Sequence, residues 1–160
     1  MYKALFLPHI NYGISIWGNG KGFQYIDKLQ KLALRSVLNL KYNVSPYFAK
    51  YNILKFEDMR DSTILTTMRE YIHDELPQAY YSNNLFQYHP VKNCIPHQFN
   101  LPSPTTPYNK LLLYSYPKLW NSIKFERNDL GTTKQNFRKR LKLKYLSSYE
   151  TSSTKKKCYV

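Results

Sequence analysis

A mainly α-helical chain is predicted by three observations. Apolar residues recur at spacings of three and four in four separate segments, which places each set on one face of a helix. Glycine or proline punctuates the flanks of most of those segments. Across 160 residues, a hydrophobic content of 42% with 16 Tyr, 8 Phe and 2 Trp is enough for a packed core. A chain of this size buries roughly 70% of its unfolded surface on folding.

The first stripe is Leu7, Ile10, Ile14 and Trp17. Pro8 lies within it, and a proline ring clashes with the carbonyl four residues back and removes a donor, at about 3 kcal/mol in a helix interior. The helix therefore starts at Pro8 or is kinked there. Gly18-Asn19-Gly20-Lys21-Gly22 ends it, with glycines supplying left-handed backbone angles. A second helix over Phe23 to Leu40 has Ile26, Leu29, Ala33, Val37 and Leu40 inward, and Lys28, Lys31 and Arg35 in a basic row beside them. Ser45 as cap and Pro46 as first residue open a short helix through Tyr51. A third long helix begins near Phe56, buries Ile64, Leu65, Met68, Ile72 and Leu76, and stops at Pro77.

From Pro77 to Pro107 the periodicity fails and six of the nine prolines occur, so residues 78–108 read as an irregular linker, of a length that points to function, disorder or an ordering partner. Leu111 to Tyr116 is a possible short strand, followed by a helical turn that Pro117 opens and that holds Leu119, Trp120 and Ile123. Thr132 and Gln135 have the spacing of a capping box. The helix behind them turns Phe137, Leu141 and Tyr145 inward and carries Lys134, Arg138 and Lys142 in a row. The expected organisation is a helical domain over 1–77, the linker 78–108, a C-terminal helical unit over 109–149, and a basic disordered tail over 150–160 that includes Lys155 to Lys157.

Charge is distributed unevenly. The net charge is +14; residues 1–80 hold ten Lys/Arg against seven Asp/Glu, and residues 81–160 hold fourteen against three. Such an excess favours polyanions, nucleic acid first and acidic membrane surface second. The two basic rows space their cations at about one helical turn, which suits a phosphate backbone, and nearby Tyr and Phe can stack on unpaired bases. The competing reading is of ordinary solvated helix faces.

Other chemistries find little support. The glycine-rich connector lacks the preceding strand and the Gly-Lys-Ser/Thr ending of a phosphate loop, so a simple turn is favoured. His89, Cys94 and His97 offer three metal ligands where a closed structural site needs four, and only the distant Cys158 remains, so no metal or other cofactor is expected. Glu57, Asp58 and Asp61 fall in the first turns of a helix, where they complement its dipole. No acids pair in a strand-like context for two-metal catalysis, and no nucleophile motif is recognisable, so no catalytic residue is assigned. Two distant cysteines, no convincing signal peptide and no ~20-residue apolar run point to an intracellular chain, nuclear or cytoplasmic, without a membrane span.

Tyr2, Ala4, Leu5, Pro8, His9, Tyr12, Gly13, Trp17 and Gly18 together resemble the region just downstream of the palm in reverse transcriptases of non-LTR (LINE, jockey-like) retrotransposons. Leu29-Gln30-Lys31-Leu32-Ala33-Leu34-Arg35 is similar to that family's thumb helix, and Tyr51-Asn52-Ile53-Leu54, with the long helix after it, keeps step. So do Pro117-Lys118-Leu119-Trp120-Asn121-Ser122 and then Phe137-Arg138 with Leu141-Lys142. Tyr116 and Lys124 depart from the family's usual glycine and proline. The resemblance runs from Tyr2 to Tyr149 and implies a thumb-like helical bundle. It further implies the C-terminal part of an RNA-directed DNA polymerase, whose palm and endonuclease correspond to sequence before Met1. The implied role is non-catalytic: template RNA and primer DNA are held against the palm, with Lys28, Lys31 and Arg35 as thumb phosphate contacts and Arg138, Lys139 and Lys142 as secondary ones. Trp17 and Trp120 are expected to be packing anchors. A helical protein-interaction module is the alternative from another class.

Overall fold

The computed structural model describes residues 2–14, 18, 20, 22–82, 85–87, 98–101, 113–123 and 131–154, with the side chains of the last helix described as far as Tyr149. Among them every regular element is helical, and the chain is mainly α. After a π-helical opening over Tyr2–Phe6 come α1 (Leu7–Asn11), α2 (Phe23–Leu38), α3 (Ser45–Lys50), α4 (Phe56–Ile72), α5 (Ala79–Ser82), α6 (Ser115–Ser122) and α7 (Lys134–Thr154). No helix among the described residues is long and apolar enough to cross a membrane.

Two prolines expected near helix starts are accommodated in one way. Pro8 lies in the first turn of α1 directly after the π-helical segment, and Pro117 lies in α6 after a π-helical Leu113 and Tyr114. A π turn is wider than an α turn, so it relieves the clash of the proline ring with the preceding turn. The possible strand at Leu111 to Tyr116 is thereby corrected: residues 113–116 are helical, and Leu111 and Leu112 lie outside the described residues. The opening helix is also shorter than expected. It ends at Asn11, because Tyr12 is extended and Gly13 takes a φ of 64°.

Three helix ends are set by asparagine or aspartate, one of them ahead of the stop expected at Pro77. Asn39, Asn52 and Asp74 adopt φ values of 50°, 52° and 56°. Behind each, a backbone N–H reaches back five residues: Leu40 donates to the Arg35 carbonyl at 3.0 Å, Ile53 to Phe48 at 2.9 Å and Glu75 to Glu70 at 2.9 Å. Each is a left-handed helix cap that satisfies orphan carbonyls. Asp74 thus stops α4 before Pro77 is reached. Gly13 also has positive φ. Gly18 is small for another reason, since a Cβ there would meet the Ile14 carbonyl oxygen at 2.2 Å.

The N-terminal caps are displaced by one residue or more. Asn43 Oδ1 accepts from the Ser45 N–H at 3.0 Å, so Asn43 organises the start of α3 and Ser45 is already helical. At α7 the cap is Thr133, whose carbonyl accepts from Phe137 at 2.9 Å and whose hydroxyl lies 3.5 Å from the Asn136 N–H. Thr132 instead gives its carbonyl to Arg69 at 2.7 Å.

The chain divides into two compact units, Met1–Ser62 with Arg138–Val160, and Thr63–Phe137. These boundaries fall within α4 and α7, which differs from the expected divisions at 77, 108 and 149. In the first unit Tyr2, Leu34, Val44, Phe48, Ile53, Leu146 and Tyr149 form one buried cluster, and Ile10, Ile14, Phe56 and Met59 form another. The C-terminal helix therefore belongs with the N-terminal segment, because Leu146 and Tyr149 complete its core. It also runs to Thr154, past the expected start of a tail; residues 155–160 lie outside the described residues.

The second unit is built around aromatic side chains. Tyr71, Phe86, Phe99, Tyr116 and Trp120 are buried, with the Phe86 ring 5.0 Å from Tyr71 edge-on and Phe99 6.5 Å from Trp120 edge-on. Phe86 and Phe99 come from the stretch that reads as a linker. Its described parts are the short helix α5 and irregular segments at 85–87 and 98–101, and these segments are packed: Tyr71 donates its hydroxyl to the Phe86 carbonyl at 3.0 Å, and the Asn100 N–H donates to the Gln87 carbonyl at 2.8 Å. Trp120 is buried, as expected of a packing anchor, whereas Trp17 lies outside the described residues.

Candidate nucleic-acid interface

Helix α2 presents the first basic row, and its orientation follows from what its other side buries. Gln30 and Leu34 are fully buried, with Phe23, Ile26 and Ala33 packed against the two clusters of the first unit. A buried amide costs stability unless its polar atoms are bonded. The Gln30 Nε2 donates to the Tyr2 hydroxyl and to the Leu54 carbonyl, each at 2.9 Å, while its Oε1 has no protein partner among the described residues. This anchoring rotates the helix relative to the expected inward stripe: Leu29 and Val37 are exposed, and Leu40 lies beyond the helix end.

The rotation keeps the cations on the surface. Lys28 and Arg35 are exposed, and neither forms an ion pair among the described residues. The Lys28 ammonium stands 5.8 Å from the centre of the Tyr25 ring. Lys31 is half-buried and bonded to Asp27 one turn earlier, at 2.5 Å, so part of its charge is already met.

The second row begins in the first unit at Arg138. Arg138 and Lys139 are exposed and Lys142 is half-buried. Partial burial, and after it the like charge of Lys3, hold the Lys142 ammonium below the usual lysine value. Lys3 of the opening segment is thus an additional cation at this row, and its sequence position gives no sign of it. Lys134 belongs to the second unit and is ion-paired with Glu70, which takes it out of the row. Helices α2 and α7 share a core through Leu34, Leu146 and Tyr149, while the cation whose charge bears on Lys142 is Lys3 and not a member of the α2 row.

The acids have structural surroundings. Asp58 accepts a hydrogen bond from the Tyr149 hydroxyl, which itself accepts from the Lys55 N–H at 3.1 Å. Asp61 accepts from Arg60 Nε at 2.8 Å. Burial raises the Asp61 carboxyl above its usual value, with Arg60 opposing and Asp58 and Glu57 adding to the rise. In the second unit Arg69 is almost fully buried, ion-paired with Glu75 and bonded to Thr132. No group of three metal-ligating side chains occurs among the described residues, and His89, Cys94, His97 and Cys158 lie outside them. Comparison with protein-family models, with curated proteins and with solved structures returned no match.

Proposed function

We propose that this chain is the thumb and post-thumb part of a retrotransposon-type RNA-directed DNA polymerase, non-catalytic by itself, that holds template and primer through basic helix faces. The supporting observation is that Lys28 and Arg35, exposed and without an ion pair among the described residues, lie on the side of α2 away from the buried Gln30 and Leu34. Arg138, Lys139 and Lys142 add a second set, and Lys3 extends it. Cations on rigid helices take phosphates at little entropic cost, without reading sequence. The expected partners are RNA and DNA, together with the palm of the parent polymerase.

The test is binding of an RNA–DNA hybrid as a function of salt. Six neutralised phosphates give a slope of log K against log salt of about −5. Replacing Lys28, Lys31 and Arg35 by Gln flattens that slope by about one unit for each phosphate no longer held. An unchanged slope removes these residues from the interface.

A second reading, a helical protein-interaction module, is favoured by one observation. Tyr25, Leu29 and Leu32 form an exposed apolar row on α2. Capture of an uncharged partner that persists in high salt would support it over the polyanion reading.

A further inference from the structure

Tyr25, Leu29 and Leu32 succeed one another at four and three residues and so line one side of α2, opposite the buried Leu34. They are 70%, 53% and 53% exposed. Lys28 and Arg35 run along one edge of this row, with Lys31 beyond them. The face is therefore apolar along its middle and cationic along one margin. A second copy of the chain would bring two net charges of +14 and two cation rows together, which opposes self-association. A single nucleic-acid strand matches both halves, since its bases offer apolar faces and its phosphates offer anions at their margin. A duplex hides its base faces and matches only the margin.

We propose that this face of α2 is a single-strand platform: unpaired bases of RNA or DNA lie over Tyr25, Leu29 and Leu32, and adjoining phosphates are held by Lys28 and Arg35. The inference rests on the nucleic-acid reading above and adds the strandedness of the ligand. Tyr25, with Lys28 already beside its ring, is the stacking residue.

The experiment titrates the full chain at a series of salt concentrations with three probes of equal length: an ordinary single strand, an abasic deoxyribose-phosphate strand, and a duplex. The abasic strand retains the phosphates and lacks the bases. The expected result is binding of the ordinary strand about tenfold tighter than the abasic strand, with parallel salt slopes. Tyr25→Ser should weaken the ordinary strand by about tenfold and leave the abasic strand unchanged. A Leu29→Ser, Leu32→Ser double variant should act in the same direction; all three positions are exposed, and a thermal melt verifies the fold. Equal affinity for ordinary and abasic strands overturns the platform and leaves the phosphate contacts standing. Absence of salt-dependent binding to every probe overturns both readings. A dimer that the double variant dissolves assigns the face to a second copy and also overturns the platform.

Discussion

The side-chain amide of Asn121 grips the backbone of Phe99 from both sides: its Oδ1 accepts from the Phe99 N–H at 3.0 Å and its Nδ2 donates to the Phe99 carbonyl at 2.7 Å. A residue on α6 thus satisfies the backbone of a non-helical segment, while Phe99 fills the aromatic core beside Trp120. Buried backbone polar groups demand such partners. Asn121→Ala is expected to destabilise the chain by about 2–4 kcal/mol, from two part-buried backbone groups losing their partner. Asn121→Asp presents two oxygens where one acceptor and one donor are needed, so its cost should be partly recovered at acid pH, where the carboxyl gains a proton. Denaturant unfolding at two pH values checks both.

Alkaline stability should be governed by buried phenols. Burial raises Tyr149 above the ordinary value of 10.0, and its hydrogen bond to Asp58 adds to the rise. Burial raises Tyr145 as well, helped by Asp61 and Asp58, and raises Tyr2 against the lowering effect of Gln30. Each group holds its proton more tightly when folded, so its contribution is fully present below pH 10 and is lost as pH climbs beyond that point. The melting temperature is expected to fall above pH 10. Tyr149→Phe should cost about 1–3 kcal/mol at neutral pH, because the Lys55 N–H and Asp58 lose a partner, and should make the alkaline decline shallower.

Asp61 behaves in the opposite pH range. Its folded value lies above 3.8, so the folded state binds the proton more tightly than the unfolded state. The stabilisation is full below 3.8 and is lost as pH rises through the folded value. Asp61→Asn cannot ionise and still offers an oxygen to Arg60. The variant should match the parent at low pH and exceed its melting temperature at pH 7. A less stable variant at pH 7 would mean that the Arg60 ion pair outweighs the burial of the charge.

Asp27 is expected to restrain the first basic row. Its ion pair with Lys31 must open, or be shared, before Lys31 can take a phosphate. Half-exposed pairs of this kind are worth about 0.2–1 kcal/mol. Asp27→Asn should therefore tighten polyanion binding by up to about fivefold at low salt, with a smaller effect as salt rises. Anisotropy titrations at two salt concentrations read this directly.

Local features of the chain are legible in its residue order. The helices containing Phe23 to Leu38, Phe56 to Ile72 and Lys134 to Tyr149 follow from spacings of three and four, and the placement of Lys28, Lys31 and Arg35 on one side of a helix follows from the same arithmetic. Phe137 and Leu141 face inward by spacing and are buried; Tyr145, on the same stripe, is half-buried. Helix ends are less legible, because Asn39, Asn52 and Asp74 cap by a left-handed backbone that asparagine and aspartate tolerate but do not announce.

Sequence alone determined that the chain is helical and that its cations lie in rows, because both are set within one or two turns. Tertiary structure decided which side of each helix loses water. Periodicity offers α2 two neighbouring stripes, and the one containing Gln30 and Leu34 wins because Tyr2 and Leu54 accept from the amide while Leu29 is left outside. It also decided the partners across long separations: Asp58 with Tyr149 and Phe99 with Asn121 meet only once the core has closed around them. Burial depends on what the rest of the chain brings to a surface, and spacing along one helix carries no record of that.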